Sequence, residues 1–246
     1  MKAILLAGGR GTRISRYIGE RPKSTLDIGG IPLIRHTVEL LIKNNVEVIV
    51  VIGYQKEMVV NALQGLNVKY YYNPFYDVTN SIASLWFAKR ELTGDDIIVA
   101  NADVFWEQDM LDVIRDDTQD QVMLMDTSRG MDYLFKCNGT TLLDHGKELK
   151  DFTGEYVGIA KIGQNFLNKF VGRLEVMIEN QQHNLWWENV LYSFINELEV
   201  NVKDVNGIFW SEIDFIEDYN RIVEYRKEKS RSMLVDVVKQ NCNTST

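Results

Sequence analysis

LAGGRGTR, residues 6–13, follows a short apolar run at the start of the chain. The run is typical of a buried strand, and the glycines end it. Because ligands of open α/β sheets bind at the carboxyl ends of the strands, this loop lies where a ligand is expected. Backbone N–H groups of such a loop can approach a phosphate chain closely, and Arg10 and Arg13 add positive charge. The alternative interpretation is a glycine-rich turn without a ligand.

Two common glycine motifs do not fit this loop. A Walker loop needs Gly-x4-Gly-Lys-Ser/Thr, and no such spacing occurs in the chain. A dinucleotide fingerprint needs a third glycine three residues after the second, but the residue at that position after Gly9 and Gly11 is Ile14. The loop therefore indicates phosphate binding of another kind.

Outward from the loop, the first half of the chain alternates strand and helix signals. Apolar and β-branched runs indicate strands at 46–52, 68–72, 97–100 and 122–125. Apolar residues at helical spacing indicate helices at 34–42, 58–63, 79–92 and 110–114. Such alternation predicts a parallel sheet with helices on both faces and right-handed crossovers.

The pattern changes after about residue 126. Strand-like segments without helices between them lie at 133–137 and 156–162, helical stretches follow at 166–178 and 188–198, and further strands are indicated at 200–205 and 208–213. We therefore predict an α/β, Rossmann-like fold with a mixed, mainly parallel sheet and a lid built by the second half. The prediction is one domain, residues 1–228, followed by a C-terminal helix and tail, residues 229–246.

Composition narrows the class of protein. The 246 residues are 45% apolar and 25% charged, which is the ordinary balance of a globular chain. The net charge of −8 argues against nucleic-acid binding, but a few local Lys and Arg residues can still meet a small anionic ligand. Cys137 and Cys242 share no motif spacing, as expected for free thiols. No apolar run approaches the ~20 residues of a membrane helix, so we expect a cytoplasmic protein. The sequence leaves open whether it is a monomer or a homodimer.

Residues 21–24 read Arg-Pro-Lys-Ser, and the proline fixes the backbone just before Lys23. Alone, this lysine is more simply a surface residue. With the loop it completes Gly-x-Gly-Thr-Arg followed by Pro-Lys, a pattern that resembles the nucleotidyltransferase family that makes activated sugars and activated small alcohols. The resemblance covers residues 1 to about 225. It implies a nucleotide-diphospho-sugar transferase-like fold and an enzyme that joins a nucleoside monophosphate from an NTP to a phosphorylated molecule, with release of pyrophosphate.

Two acidic motifs extend the resemblance. Asn101-Ala102-Asp103 is similar to the metal-binding aspartate of that family, and Trp-Ser-Glu-Ile-Asp at 210–214 is similar to its second carboxylate motif. By this resemblance, Asp103 and Asp214 hold Mg²⁺, an ion that favours one or two carboxylates plus phosphate oxygens and water. Taken singly, Asp103 is equally well a cap or turn residue, and Asp214 is equally well the N-cap of the last helix.

Within that family the chain is similar to cytidylyltransferases that act on phosphocholine and related small phosphates. Residues 73–88 resemble the start of a helix in those enzymes, Glu-Ile-Asp at 212–214 is followed by a matching Glu-Asp-Tyr, and the chain is short, without the C-terminal β-helix of many sugar members. The resemblance implies CTP as donor and a small phosphorylated amine or alcohol as acceptor. The alternatives are a sugar-1-phosphate nucleotidyltransferase and a non-catalytic nucleotide-sensing module.

Aromatic and acidic residues crowd the segments that flank these motifs. Aromatic faces beside carboxylates suit an ammonium group through cation–π attraction, although most such rings are core residues. Trp186-Trp187 is the exception, because adjacent tryptophans at a helix start cannot both face inward. Lys161 is either a contact to the acceptor phosphate or a surface lysine at a strand edge.

The predicted site combines these assignments. Catalysis is assigned to Arg13, Lys23, Asp103 and Asp214, and the two aspartates are also the metal ligands. The resemblance implies that the nucleotide binds to Leu6, Ala7, Gly8, Gly9, Gly11, Thr12, Arg13, Lys23, Asn80, Ser81 and Ser84. It implies that the acceptor binds to Asp103, Glu155, Gly158, Trp187, Glu188 and Glu212. Because an acceptor phosphate is already an anion, no strong general base is required, and catalysis is positioning and charge neutralisation.

Overall fold

The computed structural model describes residues 1–11 and 13–243, with side chains through Ser232; Thr12, assigned above to the nucleotide, lies outside the described residues, as does the side chain of Cys242. Its strands are β1 (Lys2–Ala7), β2 (Glu47–Ile52), β3 (Val68–Tyr72), β4 (Ile97–Asn101), β5 (Val104–Phe105), β6 (Gln121–Asp126), β7 (Leu134–Asn138), β8 (Thr141–Gly146), β9 (Gly154–Ile162), β10 (Asn201–Asp204) and β11 (Ser211–Glu212). Its helices are α1 (Ser15–Ile18), α2 (Leu33–Lys43), α3 (Lys56–Ala62), α4 (Ser81–Phe87), α5 (Gln108–Asp116), α6 (Leu167–Glu179), α7 (Asn189–Tyr192) and α8 (Ile216–Asn243).

In the described part of the chain, nine strands form one mixed sheet in the order β3-β2-β1-β4-β9-β6-β10-β8-β7. The first four neighbours are parallel, as the alternation of strands and helices predicts. Strand β9 lies antiparallel between β4 and β6, and β8 lies antiparallel to β7 and β10. The predicted fold class, a Rossmann-like mixed sheet flanked by helices, is therefore confirmed.

Two predicted helices are shorter in the structure. The helix predicted over 79–92 is α4, which begins after Asn80, whose side chain accepts a hydrogen bond from the Ser81 N–H, and a separate 3-10 turn follows at Lys89–Glu91. The helix predicted over 188–198 is only the single turn α7, and the chain then continues as turns in which backbone N–H groups bond three residues back, as Phe194 does to the Leu191 carbonyl. The predicted boundary between 228 and 229 falls inside α8.

Apolar side chains cover both faces of the sheet and form two large buried clusters. A third, smaller cluster joins Ile14, just after the glycine loop, to Ile213 and to Ile222 of α8. The short strand β11 pairs with β5, which follows β4 almost directly. This third cluster and the short pairing hold the segment around Asp214 against the loop after β1 and the end of β4. Among the described residues, no helix is both long enough and apolar enough to span a bilayer.

Candidate functional site

A cavity of about 500 Å³ lies over the carboxyl ends of β1 and β4, where open α/β sheets bind their ligands. One side of it is formed by the glycine loop and the start of α4, and the other by residues from β9, the 186–192 segment and β11. The cavity is lined by Leu6, Ala7, Gly8, Gly9, Arg10, Gly11, Arg13, Lys23, Ser24, Tyr76, Thr79, Asn80, Ser81, Ser84, Asn101, Ala102, Asp103, Asp132, Tyr133, Lys147, Tyr156, Gly158, Trp186, Glu188, Tyr192, Glu212 and Asp214.

The glycine loop is shaped around Lys23. Gly11 has φ +62°, a backbone conformation that side chains with a Cβ rarely adopt. A Cβ at this position would lie 2.6 Å from Lys23 Cγ, so the lysine chain passes directly against the loop backbone. The loop backbone and the Lys23 side chain thus form one packed unit at the edge of the cavity.

The Lys23 ammonium lies between the two predicted metal ligands. It contacts Asp103 Oδ2 at 3.4 Å and makes a close ion pair with Asp214 Oδ1, while Arg13 pairs with Asp214 Oδ2. Burial alone would lower the pKa of Lys23, but the charges of Asp103 and Asp214 outweigh it and raise this pKa above 10.5. Two carboxylates that are 111 residues apart in the chain therefore meet at one cation in the cavity.

The donor set at this point fits Mg²⁺. Asp103 and Asp214 present hard carboxylate oxygens to the same cavity, and Mg²⁺ takes one or two carboxylates together with phosphate oxygens and water. Among the described side chains, those of residues 1–11 and 13–232, no three His, Cys, Asp or Glu residues are grouped to hold a metal by themselves. Two carboxylates leave most of the Mg²⁺ coordination shell to phosphate oxygens and water, so these residues fit an ion that binds together with a phosphorylated ligand.

The start of α4 forms a second wall of the cavity. Asn73, which is fully buried, donates through its amide to Ser84 Oγ and to Thr79 Oγ1, both at 3.0 Å. Ser81 Oγ accepts from the Trp187 backbone N–H at 2.9 Å. The predicted nucleotide residues Asn80, Ser81 and Ser84 therefore share one wall next to the glycine loop.

The far end of the cavity is acidic and aromatic. Glu188 and Glu212 line it together with the rings of Tyr156, Trp186 and Tyr192. Burial raises the pKa of Glu188 to about 7, against the opposing effect of a hydrogen bond from Asn101. Burial, and then the charges of Asp103 and Asp214, raise the pKa of Glu212. Both carboxyl groups are thus poised to become more acidic when a cation binds.

Gly158 opens this end of the cavity. It lies within β9 at φ +85°, and a Cβ there would lie 3.2 Å from Asn101 Nδ2 and 3.1 Å from Val104 Cγ2. Glycine therefore leaves Asn101 the space that its hydrogen bonds require. The pairing of β9 with β6 shifts register between Met123 and Met125, close to this glycine.

Asn101 connects the core to the acidic end. The Trp187 indole Nε1–H donates to Asn101 Oδ1 at 3.1 Å, and Asn101 Nδ2 donates to Glu188 Oε1 at 3.2 Å. An indole nitrogen can only donate, so it sets the orientation of the amide and directs the NH₂ group toward Glu188. The fully buried Trp187 therefore helps to position the carboxyl group of Glu188, and it does so through Asn101.

Two predicted acceptor residues do not line the cavity. Trp187 is fully buried, and the ring that lines the cavity is that of its neighbour Trp186. The Trp187 backbone N–H donates to Ser81 Oγ, and this contact holds the segment with the Trp187 indole directed into the core. Glu155 accepts from the Met131 N–H and anchors the loop before β7. Lys161 is neither a phosphate contact nor a surface lysine, because its buried ammonium donates to the Asp117 carbonyl.

The structure also brings in residues that the sequence analysis did not assign to the site. Asn101 carried a signal, since it ends β4 two residues before Asp103. Tyr156 also carried one, because it lies two positions before Gly158 on the same strand and so faces the same side. Tyr133, Lys147 and Tyr192 carried none, because loops and α7 bring them to the cavity from remote segments.

Comparison with known proteins agrees with this geometry. The family model described as MobA-like NTP transferase domain matches residues 3–175. A choline-phosphate cytidylyltransferase of Streptococcus pneumoniae is 26% identical over 241 residues, covering 94% of this chain and 100% of that protein. A CTP:phosphoglutamine cytidylyltransferase of Campylobacter jejuni is 24% identical over 255 residues, covering 91% and 100%. A solved structure of CTP:phosphocholine cytidylyltransferase from Streptococcus pneumoniae has a TM-score of 0.77 at 24% identity, covering 91% of this chain and 98% of that one, and shares the fold.

Proposed function

This chain belongs to the family of MobA-like NTP transferase domains and is a nucleotidyltransferase, and we propose that it transfers CMP from CTP to a small phosphorylated amine or alcohol of the phosphocholine type, with Mg²⁺ as cofactor and release of pyrophosphate. The observation that carries the proposal is the meeting of Lys23, Asp103 and Asp214 at the edge of a glycine-lined cavity. Two relatives that align along nearly the whole chain are named as cytidylyltransferases, which supports CTP as donor.

The nucleotide lies on the side of the cavity that is formed by the glycine loop and the start of α4. Backbone N–H groups of residues 8–11 face the β- and γ-phosphates, and Arg13 supplies a positive charge beside them. The wall formed by Asn80, Ser81 and Ser84 contacts the nucleoside. When a triphosphate binds, Arg13 and Lys23 exchange their contacts with Asp214 for contacts with phosphate oxygens, so both cations are already in place before the ligand arrives.

Catalysis by these residues is electrostatic. Lys23, kept protonated by its acidic neighbours, stabilises the charge that develops on the α-phosphate as the acceptor phosphate attacks in line. Asp103 and Asp214 would hold Mg²⁺, which supplies further charge neutralisation at the phosphates when bound. The acceptor phosphate needs no deprotonation, and no histidine is among the described residues that line the cavity.

The acidic, aromatic end of the cavity receives the remainder of the acceptor. Glu188 and Glu212 favour a cationic group there, and Trp186 provides apolar surface beside it. Burial raises the pKa of both carboxyl groups, and a bound cation would offset the cost of ionising them, whereas a neutral sugar would not. The balance of charge at this end therefore favours an amine over a hexose.

A screen of pyrophosphate release tests the proposal. CTP, UTP, dTTP and GTP are each combined with phosphoethanolamine, phosphocholine, glycerol phosphate and a hexose 1-phosphate in the presence of Mg²⁺. Release with CTP and a small phosphorylated amine or alcohol is expected, and Asp103→Ala should lower it by about 10²–10³-fold while Asp116→Ala, at the exposed end of α5, leaves it unchanged.

Other outcomes of the screen support other functions. Activity restricted to a hexose 1-phosphate would identify a sugar nucleotidyltransferase. Tight CTP binding without release from any acceptor would identify a nucleotide sensor. Full activity of a folded Asp103→Ala variant would contradict the electrostatic mechanism.

A further inference from the structure

The far end of the cavity contains more hydrogen-bond acceptors than donors. The Tyr156 hydroxyl is fully buried and has no hydrogen-bond partner in the described part of the chain. It lies close enough to the carboxyl groups of Glu188 and Glu212 that their charges, after burial itself, raise its pKa. A buried hydroxyl without a partner is costly, so its position at a ligand cavity indicates a polar group on the ligand.

The neighbouring carboxyl groups also lack donors. Glu188 accepts a hydrogen bond from its own backbone N–H and one from Asn101 Nδ2, which leaves part of its acceptor capacity unused. Among the described residues no side chain donates to the Glu212 carboxyl, and Lys23 pairs with Asp103 and Asp214 instead. Three oxygen-bearing side chains at one end of the cavity therefore await N–H or O–H donors.

The aromatic faces at this end are largely engaged within the protein. The Lys147 ammonium lies 5.4 Å from the centre of the Trp186 ring and is held there by an ion pair with Asp132 at 2.8 Å. His145 stacks on Tyr192 with ring centres 3.9 Å apart. A ligand cation that relied on cation–π attraction would compete with these contacts. The Tyr156 hydroxyl has no partner among the described residues, and the carboxyl groups of Glu188 and Glu212 can accept further hydrogen bonds.

We propose that the acceptor carries an ammonium group with N–H donors, held by Glu188, Tyr156 and Glu212, and that the site selects it over a quaternary ammonium. This inference rests on the proposed function, because it specifies which amine occupies the far end of the same cavity. A primary ammonium offers three donors to three oxygen-bearing side chains, and a trimethylammonium offers none. A site built to hydrogen-bond its ligand rejects an analogue without the donors, because its own buried groups then stay unpaired.

The test is a series of acceptors that differ only in methylation of the nitrogen. Phosphoethanolamine, its N-methyl and N,N-dimethyl derivatives and phosphocholine are each supplied to the full chain with CTP and Mg²⁺, and pyrophosphate release is followed. Each methyl group replaces one donor. The kcat/KM is expected to fall along the series, by roughly 10–100-fold from the first member to the last.

Two variants test whether the Tyr156 hydroxyl produces the preference for phosphoethanolamine over phosphocholine. Tyr156→Phe keeps the ring, and it should lower kcat/KM for phosphoethanolamine about tenfold while leaving that for phosphocholine within about twofold. Tyr133→Phe is the matched control, because its hydroxyl at the same end of the cavity already bonds to His145 Nδ1 at 2.9 Å. It should change the two acceptors alike.

The outcomes separate this inference from the proposed function. Equal kcat/KM along the series, or a rise toward phosphocholine, would overturn the inference and leave the cytidylyltransferase intact. A Tyr156→Phe effect of equal size on both acceptors would also overturn it. Pyrophosphate release from glycerol phosphate but from no amine in the series would overturn the inference alone. Release from a hexose 1-phosphate alone, or from no acceptor at all, would overturn both.

Discussion

Trp187→Phe is expected to weaken acceptor binding from within the core. The indole nitrogen of Trp187 donates to Asn101 Oδ1, and Asn101 Nδ2 in turn donates to Glu188. Phenylalanine keeps an aromatic ring in the same place but leaves Asn101 Oδ1 without its donor. The amide is then free to turn over, which would point its oxygen toward the carboxyl group of Glu188 and repel it.

The structure provides a matched control for this variant in Trp106. Both indoles are fully buried, but Trp106 Nε1 has no hydrogen-bond partner in the described part of the chain. Trp106→Phe therefore removes an unsatisfied donor, whereas Trp187→Phe creates an unsatisfied acceptor, at the same loss of ring volume. Each unpaired buried group costs about 1–3 kcal/mol, so the free energy of unfolding of Trp187→Phe should lie about 2 kcal/mol or more below that of Trp106→Phe.

Two assays measure the consequences. Urea unfolding gives the free energies of unfolding of both variants, and steady-state kinetics gives KM for phosphoethanolamine and for CTP separately. We expect KM for the acceptor to rise roughly five- to tenfold in Trp187→Phe alone, with KM for CTP unchanged. In an Asn101→Leu background, Trp187→Phe should have no further effect on the acceptor KM, because the connection is already broken. Equal unfolding free energies and equal acceptor KM values in the two tryptophan variants would refute the reasoning.

The remaining predictions concern the cations, the loop and the buried carboxyl group. Lys23→Ala should lower kcat by about 10²–10³-fold with an unchanged circular dichroism spectrum, because the ammonium that faces the α-phosphate is lost; near-normal kcat would argue against that role. Gly11→Ala should raise KM for CTP and lower kcat, each roughly tenfold, since its Cβ would lie 2.6 Å from Lys23 Cγ. Gly172→Ala, within α6 and away from the cavity, meets no described atom within 4 Å and should behave as wild type in the same assay. The raised pKa of Glu188, about 7 against the ordinary 4.5, means that the folded state binds this proton more tightly than the unfolded state. The free energy of unfolding should therefore fall between pH 4.5 and 7, by about 3 kcal/mol from this group. Glu188→Gln should remove that part of the slope in urea titrations, and an unchanged slope would show that the carboxyl group is not desolvated.

The identity of the fold could be read from local patterns. The strand that ends at the glycine loop, the β-branched run of β2 and the helical spacing of α2 each encode their own structure, because backbone conformation and burial periodicity act over a few residues. The position of β9 could not be read in this way. Its antiparallel insertion between β4 and β6 depends on partners that lie 20 residues or more away in the chain.

The chemical identity of the site was present in the sequence as motifs, and the residues Lys23, Asp103 and Asp214 were assigned from it. That their charged groups converge is a tertiary fact, since it requires the pairing of β11 with β5 and the small core beneath α8. The roles at the far end of the cavity were decided by structure alone. Which of two adjacent tryptophans faces inward depends on a hydrogen bond from the Trp187 backbone to Ser81, which is 106 residues away, and no local pattern encodes such a contact.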